Sequence, residues 1–181
     1  SDVCSSDLLH EGKFAEADDI VRRQIVELEA RNPDHPLLGA PYFELGRVQS
    51  MRGRSREAMA SLEKARGFVE RNPRQGPESF IMAGILSVMA RAKMVTGQYA
   101  EGIALLNRSI AIREAKTNME SDDPIQGLDR IITLAGDYML AGRSADALRT
   151  MQQALAVAER TTGAGSVETA MVLTGLAAMS R

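Results

Sequence analysis

The stretch Gly142-Arg-Ser-Ala-Asp-Ala147 occurs in related form four times in this chain of 181 residues, each time as a glycine followed by an acidic residue and a small one. The other copies begin at Gly12, Gly53 and Gly97, and successive glycines are 41, 44 and 45 residues apart. A fixed period of about 20–50 residues is typical of solenoids, in which each repeat buries its apolar face against its neighbours. The recurrence therefore predicts a repeat architecture.

Apolar residues between these turns fall at helical spacing. After Gly53 they follow a rhythm of three and four with charged residues between them, as in an amphipathic helix. Polar segments such as Arg71-Asn72-Pro73 interrupt the pattern, and proline cannot continue a helix. The second helix of each pair is predicted to span Leu37–Arg52, Glu78–Thr96, Pro124–Ala141 and Ser166–Arg181.

The ends of these helices carry expected caps. Asp34, Ser121 or Asp122, and Ser166 have short side-chain oxygens that can accept the free amides of a first helical turn. The turn glycines follow the helix ends, where a left-handed backbone is required. Because no segment alternates with period two for long enough to form a strand, the sequence predicts an all-α chain.

Composition excludes several classes of protein. A formal net charge of −2 gives no electrostatic reason to expect binding to nucleic acid or to an anionic membrane. No apolar run approaches the roughly 20 residues that a membrane-spanning helix needs. Aromatic residues make up only 4% of the chain, so alanine and unbranched aliphatic residues must supply the packing.

The first eight residues, Ser1-Asp-Val-Cys-Ser-Ser-Asp-Leu8, resemble a translated sequencing adapter. The alternative is a native polar tail. We therefore set 1–8 aside as a non-native segment, and we expect the true N-terminus to be missing. Cys4 is the one cysteine, so the remaining sequence offers no disulfide, no zinc–thiolate site and no thiol nucleophile.

Measured from each turn glycine, small and large residues recur at fixed offsets. A small residue stands seven before the glycine, a large aliphatic residue stands one position earlier, and a second small residue stands five after the glycine. This pattern resembles the tetratricopeptide repeat (TPR), in the longer form found in kinesin light chain and in many bacterial proteins; Asp34-His35-Pro36 resembles its inter-repeat His-Pro. The matching residues are Leu45, Gly46, Gly53, Ala58, Met89, Ala90, Gly97, Gly102, Leu134, Ala135, Gly142 and Ala147.

The resemblance implies an all-α fold of antiparallel helix pairs stacked in a right-handed TPR superhelix, an α-solenoid. It covers residues 9–181: a half repeat at 9–33, repeats at 34–73, 74–118 and 119–162, and a truncated half repeat at 163–181. Because the last helix stops before a turn glycine of its own, we expect the chain to be a fragment of a larger protein. Four departures weaken single repeats, namely Gln24, Gln49, Lys93 and Ser109.

Candidate catalytic groups are sparse. His10 and His35 have no partners at the spacing of metal ligands, and His35 in its proline-flanked loop is expected to be a turn or cap residue. The acidic residue of each turn complements the dipole at a helix N-terminus. We therefore expect no enzyme activity, no cofactor and no metal.

The TPR resemblance implies that the first helix of each pair lines a concave groove that holds an extended peptide or a helix. One hypothesis is that Arg47 and Arg91 clamp a carboxylate of an acidic peptide above an apolar floor of methionines. The alternative, that the arginines are solvated and the methionines belong to the core, stays open. The predicted groove residues are Phe43, Arg47, Ser50, Met51, Ser87, Arg91, Met94, Ile132 and Met139.

The first functional interpretation is a protein–protein interaction scaffold, with a protein or peptide as partner and with no direct contact to nucleic acid or membrane. The alternative is a sensory or recruitment arm of a cytoplasmic bacterial signalling protein, a Ser/Thr kinase or transcription regulator, whose catalytic or DNA-binding domain lies outside this chain. A third interpretation is self-association through the truncated ends, where the last helix would expose Met171, Val172, Leu173 and Leu176.

Overall fold

A computed structural model describes residues 13–117 and 124–179, which form eight α-helices, one short 3₁₀-helix and no strand. The all-α prediction is confirmed. The chain divides into two compact units, residues 1–105 and 106–181, and the boundary falls within the fifth helix. The helices are α1 Phe14–Arg31, α2 Gly39–Met51, α3 Ser55–Arg71, α4 Phe80–Val95, α5 Tyr99–Thr117, α6 Pro124–Leu140, α7 Ser144–Thr161 and α8 Val167–Met179, with the 3₁₀-helix at Pro36–Leu38.

In the first unit, α2 packs against α1, α3 and α4. It lies close to α3 at Gly46, where an added methyl group would lie 2.6 Å from Cγ of Leu62. Gly46 and Ala58 are both buried, so the two backbones come together at a pair of small residues. Leu45, beside this crossing, is 5% exposed.

The pair formed by α4 and α5 repeats this arrangement within the first unit. A methyl group on Gly102 would lie 2.8 Å from Cγ of Met94 and 3.0 Å from the carbonyl oxygen of Ala90. Ala90 and its neighbour Met89 are buried. The small residue on α5 therefore lies directly against the small residue on α4, with a methionine filling the space beside them.

In the second unit, α7 packs against both α6 and α8. The small residues Ala135 on α6 and Ala147 on α7 are fully buried, and Leu134 is 5% exposed. On α8, Gly175 lies against Cε of Met151. The apolar core consists of Leu128, Ala135, Met151, Ala154, Ala158 and Val172. The expectation that Val172 is exposed on the last helix is therefore wrong, because this face of α8 packs against α7.

The turn glycines have the backbone that a helix C-terminus needs. Gly53, Gly97 and Gly142 have φ values of 74°, 82° and 74°. In each turn the amide after the glycine donates to the carbonyl oxygen five residues earlier, as Arg143 does to Tyr138 at 2.8 Å. This is the Schellman motif, which pairs otherwise free carbonyl groups at the helix end. Gly12 lies outside the described residues.

The predicted helices are present, and the described ends lie within two residues of the predictions; residues 180–181 of the last helix lie outside the described residues. The capping prediction for Asp34 is wrong. The Nδ1 atom of His35 accepts the amide of Leu37 at 3.2 Å, while the amide of Asp34 donates to the side chain of Asn32. Asp34 therefore lies in the turn at Asn32, and His35 caps the 3₁₀-helix.

Ser166 does cap α8, since its Oγ accepts the amide of Thr169 at 3.1 Å. Ser121 and Asp122 lie outside the described residues. No helix in the part of the chain that the structure describes is long and apolar enough to cross a lipid bilayer.

The backbone at the turn glycines generates a test with a matched pair of variants. Gly142→Ala should lower the free energy of unfolding by about 1–2 kcal/mol, because a Cβ is strained at positive φ. Gly136→Ala should instead leave it unchanged or raise it by about 0.5–1 kcal/mol, since alanine favours a helix interior. Neither added methyl group meets a neighbour within 4 Å, so conformation alone separates the two.

Urea unfolding followed by circular dichroism measures both variants. A loss of stability in Gly136→Ala as large as that in Gly142→Ala would contradict the assignment of Gly142 to a turn that requires a left-handed backbone.

Candidate functional site

One surface of the first unit gathers several predicted groove residues. We call it the α2–α4 face, and it comprises residues at helical spacing on two helices that contact each other. Phe43, Arg47 and Met51 lie one turn apart on α2. Gly84, Val88, Arg91 and Val95 lie one turn apart on α4.

Phe43 sets the register of the two helices. A methyl group on Gly84 would lie 2.7 Å from Cζ of Phe43, so the ring occupies the space that the missing side chain leaves. The aromatic ring is half-buried as a result. The ring forms a rigid apolar contact between the two helices, and Arg47 on α2 and Val88 on α4 lie one turn beyond it.

Arg47 is held in place by its own helix. Its Nη1 donates to both carboxylate oxygens of Glu44, at 2.9 and 3.1 Å. Its guanidinium also lies over the ring of Phe43, 5.9 Å from the centroid. Both side chains of the ion pair keep part of their surface in solvent, 33% for Arg47 and 25% for Glu44.

Arg91 differs from Arg47 in having no side-chain partner among the described residues. It is exposed, and no ion pair or hydrogen bond of its side chain occurs among the described residues. One turn further along α4, Val95 is 73% exposed, and Met51 on α2 is 49% exposed. Within the described part of the chain, the α2–α4 face thus presents one cation without a counter-charge, together with two exposed apolar side chains.

The other predicted groove residues lie in different surroundings. Ser87 is only 8% exposed, Met94 lies against Gly102, and Ile132 packs on the apolar core of the second unit. Ser50 is half-buried, and Met139 is 38% exposed. Helix packing therefore accounts for the first three, while Met139 offers accessible surface on the second unit.

A buried polar network fills part of the second unit, and sequence reasoning missed it. Asp137 accepts hydrogen bonds from Ser109 Oγ at 2.6 Å and from Arg113 Nε at 3.0 Å. Arg113 Nη1 also donates to Thr133 Oγ1 at 3.0 Å. Ser109, one of the departures from the repeat pattern, is fully buried, so its hydroxyl serves this network in place of alanine packing.

Two buried tyrosines each donate a hydrogen bond to a glutamate on the preceding helix. The hydroxyl of Tyr42 donates to Glu29, and that of Tyr138 donates to Glu114. A signal for these glutamates exists in the sequence, because a glutamate stands seventeen residues after every turn glycine. The four residues are Glu29, Glu70, Glu114 and Glu159.

The pKa of Tyr138 is raised to about 12, chiefly because burial disfavours the phenolate and further because the hydroxyl donates to Glu114. The positive charge of Arg143, whose guanidinium lies 4.5 Å from the ring centroid, opposes this shift. Burial also raises the pKa of Tyr42.

Nowhere among the described residues do three His, Cys, Asp or Glu side chains gather as metal ligands. His35 serves as the cap of the 3₁₀-helix. His10 lies outside the described residues.

Comparison with known proteins identifies the fold. No family model and no curated protein matches this sequence. A protein assigned as a kinesin light chain in Podosopora anserina, with nearly identical TPR-like repeats, is 23% identical with a TM-score of 0.60, over 97% of this chain and 81% of that one. A form of that protein with one substitution is 24% identical to this chain with a TM-score of 0.61, and the same shares of the two chains are covered.

BtubC (BKLC) from P. vanneervenii is 19% identical with a TM-score of 0.62, over 92% of this chain and 65% of that one. Similarity at this level of identity shows the fold alone. The predicted all-α solenoid of TPR-like repeats is confirmed by these structures together with the helix pairs described above.

Removal of one partner from the buried network tests its energetics. Asp137→Leu should lower the free energy of unfolding by about 3–5 kcal/mol, because Arg113 would then be buried without its counter-charge. The double variant Asp137→Leu, Arg113→Met should recover much of that loss. Chemical denaturation of the two single variants and the double variant gives the coupling energy, and strictly additive losses would contradict a direct pair.

The raised pKa of Tyr138 predicts a loss of stability in alkali. The folded state keeps its proton up to about pH 12, whereas an unfolded tyrosine loses it near pH 10.0, so the stabilisation is complete below pH 10 and disappears as the pH rises to 12. Ultraviolet absorbance of tyrosinate should show the last ionisation step near pH 12. Tyr138→Phe should remove that step; a step that persists would assign it to another tyrosine.

Proposed function

We propose that this chain is a protein-interaction scaffold whose α2–α4 face binds an extended acidic segment of a partner protein. The proposal assigns binding to the chain and no reaction of its own. The observation that carries it is Arg91, an exposed guanidinium without a partner among the described residues. The fold supports it in general terms, since stacked helix pairs create extended surfaces for partners.

The spacing of the two arginines suits an extended peptide. As the first helices of successive antiparallel pairs, α2 and α4 run in the same direction. Because Phe43 lies opposite Gly84, Arg47 and Arg91 are then displaced by about three residues along the helices, or about 4–5 Å at a rise of 1.5 Å per residue. Packed helix axes are about 8–10 Å apart. Side chains on one face of an extended peptide repeat at about 7 Å, so the two guanidinium groups can reach carboxylates two residues apart.

The exposed apolar residues add a second requirement on the partner. Val95 and Met51 lie one turn beyond the two arginines, so an apolar side chain next to the acidic residue would bury surface against them. Burial contributes roughly 25 cal/mol per Å² of apolar area removed from water. A methionine also adapts to side chains of different shape. The preferred segment therefore combines acidic and aliphatic residues.

A library of short acetylated peptides that alternate Asp or Glu with aliphatic residues tests the proposal by fluorescence anisotropy. Arg91→Met should weaken the selected binder about tenfold and reduce the salt dependence of its affinity, because the aliphatic stem is kept while the charge is lost. Arg56→Met is the control, since Arg56 is also exposed but lies on α3. Loss of helicity in either variant is monitored by circular dichroism.

Two results would contradict the proposal. One is a library with no member that binds the wild-type chain. The other is an equal effect of Arg56→Met and Arg91→Met, which would indicate attraction to the overall charge of the protein instead of recognition at the α2–α4 face.

A further inference from the structure

The two arginines of the α2–α4 face differ in their electrostatic surroundings. Arg47 already holds a carboxylate, because its Nη1 donates to Oε1 and Oε2 of Glu44 at 2.9 and 3.1 Å. Helix α4 has no acidic residue anywhere between Phe80 and Val95, so Arg91 has no such neighbour on its own helix. Its basic neighbour Lys93 is directed elsewhere, to Glu101 at 2.8 Å and to Gln98 at 2.7 Å.

We infer that Glu44 is a specificity-determining residue that occupies Arg47 in place of a ligand carboxylate, so that the α2–α4 face selects segments with one acidic residue over segments with two. The inference rests on the proposed function of this face. A first ligand carboxylate binds at Arg91 without competition. A second one, directed at Arg47, has to displace Glu44 and then remains beside its negative charge.

The contact between Glu44 and Arg47 is suited to competition because it is partly exposed to solvent. A solvent-accessible pair three residues apart on a helix stabilises a protein little, so breaking it costs at most a factor of about five in affinity. The half-buried ring of Phe43 holds the guanidinium from beneath, which keeps Arg47 on the face when its partner changes. Glu44 therefore lowers the gain from a second ligand carboxylate without closing the site.

The position of Glu44 is distinctive among the repeats. It stands nine residues before the turn glycine, and the corresponding residues in the next two repeats are Val88 and Thr133. Neither of these carries a charge, so the selection against a second carboxylate is confined to one helix.

The test compares two acetylated peptides on the full chain: a doubly acidic binder from the library and its singly acidic counterpart with glutamine at the second acidic position. Wild type should bind both with affinities within about twofold of each other, because Glu44 cancels the gain from the second carboxylate. Glu44→Gln should raise the affinity for the doubly acidic peptide about fivefold and leave the singly acidic peptide unchanged.

Three further variants separate an effect that passes through Arg47 from a general effect of charge and from binding at Arg91. Arg47→Met combined with Glu44→Gln should abolish the gain, because the gain passes through Arg47. Glu63→Gln on α3 removes a similar exposed pair, Glu63 with Arg66 at 2.7 Å, and should change neither affinity. Arg91→Met should weaken both peptides about tenfold and equally.

The outcomes distinguish this inference from the proposed function. If neither peptide depends on Arg91, the proposed function fails. If both depend on Arg91 but Glu44→Gln leaves their ratio of affinities unchanged, only the inference about Glu44 is wrong. A gain that persists in the Arg47→Met background, or that Glu63→Gln reproduces, would also overturn it, since a general change in charge would then explain the result.

Discussion

Close approach of helices at small residues is the constraint on which the rest of this structure depends. Gly46 leaves no room for even a methyl group against Leu62, and Gly102 is equally restricted by Met94 and Ala90. Interiors as dense as these cannot accept added volume without displacement of a helix. The register of each pair is therefore fixed at one crossing, and the side chains on its other faces take their positions from it, including Phe43 in the space above Gly84.

The same constraint explains where polar residues can enter the core. Ser109 and Gln49 stand where the repeat pattern expects alanine or an apolar residue, yet both are buried with partners, Ser109 with Asp137 and Gln49 with Ser61 at 2.8 Å. A buried polar group is costly only when it lacks a hydrogen bond. Because the crossing fixes the facing positions, a paired substitution across two helices can replace apolar contact without a change of fold.

The sequence predicted the parts of this protein that depend on local spacing. Turn glycines, helix ends and the small residues at the crossings follow from offsets along one chain, so Gly53 and Ala58 could be assigned before any contact was known. Contacts between side chains depend on rotamers and on neighbouring helices, which spacing does not encode. For this reason spacing proposed a cap at Asp34 as well as a turn or cap at His35, of which only His35 caps, and the contact of Arg47 with Glu44 was not predicted. The glutamates seventeen residues after each turn glycine could be recognised in the sequence. Their tyrosine partners could not, because these stand at different distances from the turn glycine in different repeats.

Helix packing and surface charge thus depend on different residues of the same helix. On α2, Leu45 and Gly46 face the crossing with α3 and resemble their equivalents in the other repeats, since any change of volume there disturbs the pair. Glu44 is their immediate neighbour in sequence, but it is partly exposed and free of that restriction. A substitution at this position alters the surface charge of α2 without altering the helix pair. The repeated fold therefore supplies a constant frame, and under the proposed function the surface residues Glu44 and Arg91 would give the first two helix pairs their own preference for a partner.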